Sequence, residues 1–146
     1  MRLDQWTAVA VAAVFIWLGM VLAISFLEAP LKFRAPGVTI PLGLGIGRLV
    51  FRALNSCEAV LAAVIVVALV LGTPGTGVVV AVVVAITALL AQVVGVRPAL
   101  ARRSDAVLAD ASRAESGRSH AHYVYVGFEV VKVLALLVGG VLLLAF

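Results

Sequence analysis

A chain of 146 residues that is 64% hydrophobic and only 12% charged falls outside the range of water-soluble domains, which run at about 45–50% apolar and about 25% charged. A mean hydropathy of +1.24 agrees, and so short a chain cannot hide that much apolar surface from water. The net charge of +4 would suggest nucleic acid in a soluble protein. Here it reads as a topology signal and a contact with anionic lipid, so the expected partner is the lipid bilayer and not nucleic acid.

A helix needs roughly 20 apolar residues to cross a bilayer core. Four stretches qualify, and the whole chain reads as one transmembrane domain: about Trp6 to Phe26, Ala53 to Leu71, Val78 to Val96, and Tyr123 to Phe146. The first is too long for a signal-peptide core and lacks a small-residue cleavage site after it, so it is expected to stay as a span. Valine runs such as Val78-Val79-Val80 favour strands in water, but in lipid each segment must satisfy its own backbone, so helix is predicted. The fold class is therefore all-α, a four-helix membrane bundle.

The connections differ in kind. Glu28 to Arg52 contains Pro30, Pro36, Pro41 and the run Gly43-Leu44-Gly45-Ile46-Gly47, read as a flexible entry to the second span. Gly72-Thr73-Pro74-Gly75-Thr76-Gly77 is a tight uncharged turn, which makes spans two and three an antiparallel hairpin. Arg97 to His122 is polar, and within it 99–115 is expected to form a short helix on the membrane surface. Every basic residue except Arg2 and Lys132 lies in the first or third connection. The positive-inside rule places those two connections in the cytoplasm and both termini outside, in a prokaryotic-type inner (plasma) membrane.

Polar groups inside a bilayer cost at least about 2.5–3.5 kcal/mol each when charged, so each needs a reason. Glu28 closes the first span, Asn55 and Glu58 lie near the start of the second, and Gln92 near the end of the third. His120, His122, Tyr123, Tyr125, Glu129 and Lys132 open the fourth. All fall towards the cytoplasmic end. Phe51, Asn55 and Glu58 share one helical face, and His122, Tyr125, Glu129 and Lys132 share another. Trp17, Val21, Ile24 and Glu28 share a face of the first span. Three polar stripes at one depth predict a shared pocket of Glu28, Asn55, Glu58, Tyr125, Glu129 and Lys132. Lys132, one turn from Glu129, is expected to pair with that carboxylate and leave Glu58 as the proton carrier. The bland alternative is a Glu129–Lys132 structural pair, an interfacial Glu28, and a tyrosine belt.

His122 with Glu58 and Glu129 offers nitrogen and oxygen ligands for a divalent metal ion, although His120 and His122 point apart on a helix. Cys57, the single cysteine, is expected to be a buried structural thiol. Gly19 and Ala23 are spaced for close helix contact or self-association.

Ile16-Trp17-Leu18-Gly19, Ser25-Phe26-Leu27-Glu28-Ala29-Pro30-Leu31-Lys32-Phe33, Gly47-Arg48-Leu49-Val50-Phe51 and His122-Tyr123 together resemble small four-span membrane proteins related to the copper-resistance D group. The resemblance spans about half the chain. It implies a helical bundle and an association with metal handling, while this chain has only Met1 and Met20 and no multi-cysteine motif. The expected function is a small transporter or channel with a protonatable pocket, handling a cation or metal ion and working as a homo-oligomer. The alternatives are a non-catalytic subunit or assembly factor of a larger membrane complex, and an intramembrane enzyme binding a metal or cofactor.

Overall fold

The computed structural model describes residues 4–110, 112 and 120–145. Four long helices account for nearly all of them: α1 (Gln5–Arg34), α2 (Ile40–Leu71), α3 (Thr76–Ala109) and α4 (His120–Ala145). Each is long and apolar enough to cross a membrane, and no strand occurs among the described residues.

Local chemistry sets the helix starts. Asp4 caps α1 by accepting from the backbone N–H of Trp6 and Thr7 at 2.8 and 2.9 Å. Thr39 caps α2 by accepting from Leu42 N–H, with Pro41 in the first turn where no donor is needed. Between α1 and α2 the chain turns at Gly37, whose φ of 81° is open to glycine at no steric cost.

Two helices widen into π-helical turns, Leu22–Glu28 in α1 and Gln92–Val96 in α3. Each lies just ahead of a proline, Pro30 or Pro98. Proline withholds the N–H that would pair the carbonyl four residues back. The wider turn re-forms the ladder with bonds from Ala29 N–H to Ile24 O and from Arg97 N–H to Gln92 O.

The helices form an up-down-up-down ring in which α1 packs on α2 and α4, and α3 packs on α4. Glycine allows the closest approaches: Gly139 faces Ala81 across α3 and α4, and Gly140 faces the Phe15 ring across α1 and α4. The turn at 72–75 does reverse the chain, but α2 and α3 touch little along their length, so the sequence hairpin is the loosest side of the ring. Arg48 bridges that side at the basic end, bonding Asp105 and the Ala101 carbonyl.

Several expectations are corrected. The Gly43–Gly47 run is helix, not a flexible entry: Gly43 is packed against the Phe33 ring and Gly47 against the Lys32 ammonium end. The helices α2 and α3 continue about three turns past the predicted spans at the basic end, because hydropathy marks where lipid would end, not where helix ends. The predicted surface helix over 99–115 is, as far as Ala109, the continuation of α3, and much of its remainder lies outside the described residues. Cys57 is exposed on the outer surface rather than buried. Gly19 and Ala23 face outwards, so they make no close helix contact within the bundle and are left available for contact with another copy.

The distribution of polarity is inverted relative to a soluble protein. Val70, Val94 and Leu49 are 75, 74 and 68% exposed, while Asn55, Glu58, Gln92, Glu129 and Lys132 are buried. Such an arrangement suits apolar surroundings. The turn end of the bundle axis is filled by Ala10, Ala13, Val14, Ile65, Val82 and Leu143 among others.

Candidate functional site

The buried polar side chains meet on the axis, and each of the four helices supplies at least one. Lys132, midway along α4, points across the bundle and is fully buried. Its ammonium lies 2.6 Å from Glu58 Oε1 on α2 and 2.8 Å from Glu129 Oε1 one turn back on α4. It also donates at 2.7 Å to the Gln92 side-chain oxygen on α3. The ammonium thus donates two hydrogen bonds, to Glu58 and Gln92, and holds Glu129 as an ion pair. Gln92 in turn donates to Glu129 Oε1 at 2.6 Å and to the Tyr125 carbonyl at 3.2 Å. Trp17 on α1 closes the network by donating its indole N–H to Glu58 Oε1 at 2.8 Å.

The network carries one surplus negative charge when both carboxylates are ionised. It also leaves capacity unused. Glu58 Oε2, Glu129 Oε2, the Tyr125 hydroxyl and both polar atoms of Asn55 are buried without a hydrogen-bond partner among the described residues.

A register relation explains why these groups face one another. Glu58 and Lys132 are 74 residues apart, as are Phe51 and Tyr125, whose rings pack edge to face at 5.5 Å. The helices α2 and α4 run parallel, so Asn55 and Glu129, at the same offset, stand level between those two contacts. On the basic side of the ring pair, Lys32 sits 5.5 Å from the centre of the Phe51 ring and 3.4 Å from Glu28.

Of the predicted pocket, Glu58, Glu129 and Lys132 come together directly, and Asn55 and Tyr125 line the same axis. Glu28 does not join them: it is partly exposed and pairs with Lys32 near the end of α1. The predicted division of labour is also corrected. Lys132 bonds Glu58 as closely as Glu129, because the α2 and α4 stripes face each other across the axis and an ammonium has three protons to place.

The divalent metal set of His122, Glu58 and Glu129 is not assembled. His122 lies in the first turn of α4 against Tyr123, about 10 Å along the helix from Glu129. Among the described residues no three His, Cys, Asp or Glu side chains gather to hold a metal ion. The position between the two carboxylates is taken by a tethered cation, Lys132 itself.

Two members were missed as site residues. Gln92 is conspicuous in the sequence for its polarity, but its spacing does not tie it to the pocket. The spacing of Trp17 gives only its helical face, although a tryptophan this far from either helix end needs an acceptor for its N–H. The signal for the pairing was present in the equal spacing of Phe51, Asn55 and Glu58 with Tyr125, Glu129 and Lys132.

The chain matches no protein-family model, no curated protein and no solved structure.

Proposed function

We propose that this protein is a small multi-pass carrier of the inner membrane that exchanges a proton at Glu58 or Glu129 for a cation or cationic solute. The observation that supports it is the charge count on the axis. Two carboxylates and one ammonium, all buried, leave one negative charge that a low-dielectric interior tolerates poorly. One proton or one bound cation neutralises it, and the two compete. The polar groups lie near mid-length of the helices, with apolar packing on the turn side and the Phe51–Tyr125 ring pair on the basic side, so exchange on the basic side requires that ring pair to part. Four helices leave little room for a pathway of their own, which favours a homo-oligomer.

In the same reading the basic ends of the helices face the cytoplasm and both termini face outwards. Cysteine labelling in intact cells is expected to reach Thr76→Cys from outside, and Arg34→Cys and Ser112→Cys only after permeabilisation. Labelling of Ser112→Cys from outside reverses the orientation. The likeness to the copper-resistance D group belongs to this proposal as well, with a departure in cargo. The donors on the axis are carboxylate, amide and phenol groups, which suit hard cations better than copper(I).

The decisive comparison is solute-dependent proton flux in liposomes for wild type, Glu58→Gln and Glu129→Gln. Each glutamine mimics a permanently protonated carboxylate and is expected to reduce coupled flux at least about tenfold, the loss of the 1.4 kcal/mol that one factor of ten represents. A subunit or assembly role has one specific point in its favour: the ammonium holds three residues on three helices, as a clamp would. Equal flux in all three proteins for every solute the wild type moves selects that reading.

A further inference from the structure

We infer that Asn55, Tyr125, Glu58 and Glu129 form a binding site for one monovalent cation, an alkali-metal ion or a small primary ammonium, lying between α2 and α4 on the basic side of Lys132. The inference rests on the proton-exchange reading and names the cargo.

The first argument is charge. A monovalent ion cancels the single surplus charge of the network, whereas a divalent ion replaces it with a surplus positive charge next to Lys132. In an apolar interior the second state is as costly as the empty one. The second argument is donor chemistry. The unused groups are Glu58 Oε2, Glu129 Oε2, the Asn55 amide and the Tyr125 hydroxyl, all on residues at least nine-tenths buried. Their oxygens make a hard ligand set without thiol or imidazole. Buried polar groups left without partners are costly, and one cation ligated by these oxygens recovers that cost at several of them together.

The third argument is position. Asn55 is on the α2 face that carries Phe51 and Glu58, and Tyr125 is on the α4 face that carries Glu129 and Lys132. The Phe51–Tyr125 and Glu58–Lys132 contacts bracket the level at which Asn55 and Glu129 stand. The Phe51–Tyr125 pair covers the basic side of this level, and Lys32 stands over Phe51. Entry therefore requires the ring pair to part. On the other side lie Lys132, Trp17 and the apolar end of the bundle.

Trp17 reports on the site because its indole bonds Glu58. The experiment uses the full chain carrying Trp6→Phe, which leaves Trp17 as the only tryptophan, in lipid nanodiscs. Its emission is titrated with sodium, potassium, methylammonium, magnesium and choline chlorides at several pH values. A saturable response is expected to at least one of sodium, potassium and methylammonium, and which of them responds separates an alkali site from an amine site. Magnesium and choline are expected to give none. The midpoint is expected to rise about tenfold for each unit of pH lowered where a proton competes one for one. Asn55→Leu is expected to raise it at least about tenfold, as removal of a ligand to a charged group requires. Tyr125→Phe keeps the ring contact with Phe51 and is expected to raise it by a smaller factor.

No saturable response to any of the three monovalent ions overturns the cation site, as does magnesium binding more tightly than they do. Unchanged midpoints in both variants have the same force. A Trp17 signal that follows pH but ignores all cations, with wild-type proton flux retained in liposomes, rejects this site and leaves proton exchange standing. Loss of both rejects both.

Discussion

Lys132→Met is expected to destabilise the bundle by about 3–5 kcal/mol, the usual consequence of removing one partner from a buried ion pair. Methionine has nearly the length of lysine, so packing around the fully buried position changes little and the effect is electrostatic. The substitution removes three bonds at once, to Glu58, Glu129 and Gln92, and leaves two carboxylates facing each other with no cation between them. Adding Glu58→Gln and Glu129→Gln to the same chain removes both charges and is expected to recover most of the loss, since uncharged replacements of a buried ionic group are often neutral in cost. Unfolding of the purified protein in mixed micelles, followed by helical circular dichroism, measures both. A Lys132→Met protein within about 1 kcal/mol of wild type, the median worth of an exposed pair, shows that the ammonium does not hold the carboxylates as described.

How much of this was legible in the sequence depends on the kind of interaction. The four helices were, because a run of some twenty apolar residues leaves the backbone no other way to satisfy itself in lipid. Helix ends were not, because propensity and caps such as Thr39 continue a helix beyond the point where hydropathy falls. Asn55, Glu58, Tyr125, Glu129 and Lys132 were legible as a set, since apolar surroundings make each polar residue conspicuous. The Glu58–Lys132 bond was not, because sequence spacing shows partners on one helix and Lys132 has an obvious one in Glu129. Only the matching of two stripes across parallel helices, with Phe51 opposite Tyr125, gives the register. Glu28 misled for the opposite reason: its face on α1 pointed to the axis, but the π-helical turn over Leu22–Glu28 shifts the angular register before Glu28 is reached, and Lys32 is one turn away to neutralise it.

Trp17 offers the second large effect, and it divides into two parts. Trp17→Ala is expected to cost about 3–5 kcal/mol, as large-to-small changes at fully buried aromatic positions do. Trp17 is fully buried, among Val14, Val21, Ile65 and other members of the apolar cluster. Trp17→Phe keeps most of the ring and removes the donor to Glu58. Hydrogen bonds between membrane helices measure about 0.6 kcal/mol on average and about 1.7 at most, and an ionised acceptor places this one towards the upper end. The expected cost of Trp17→Phe is therefore about 1–2 kcal/mol, well below that of alanine. A cycle with Glu58→Gln isolates the bond, because glutamine retains an oxygen acceptor but not its charge. The two single changes are expected to add to more than the double change, by about 1 kcal/mol, since residues in contact couple by 0.5–3 kcal/mol. Strict additivity removes the indole from the network, and with it the reason for a tryptophan so far from either end of α1.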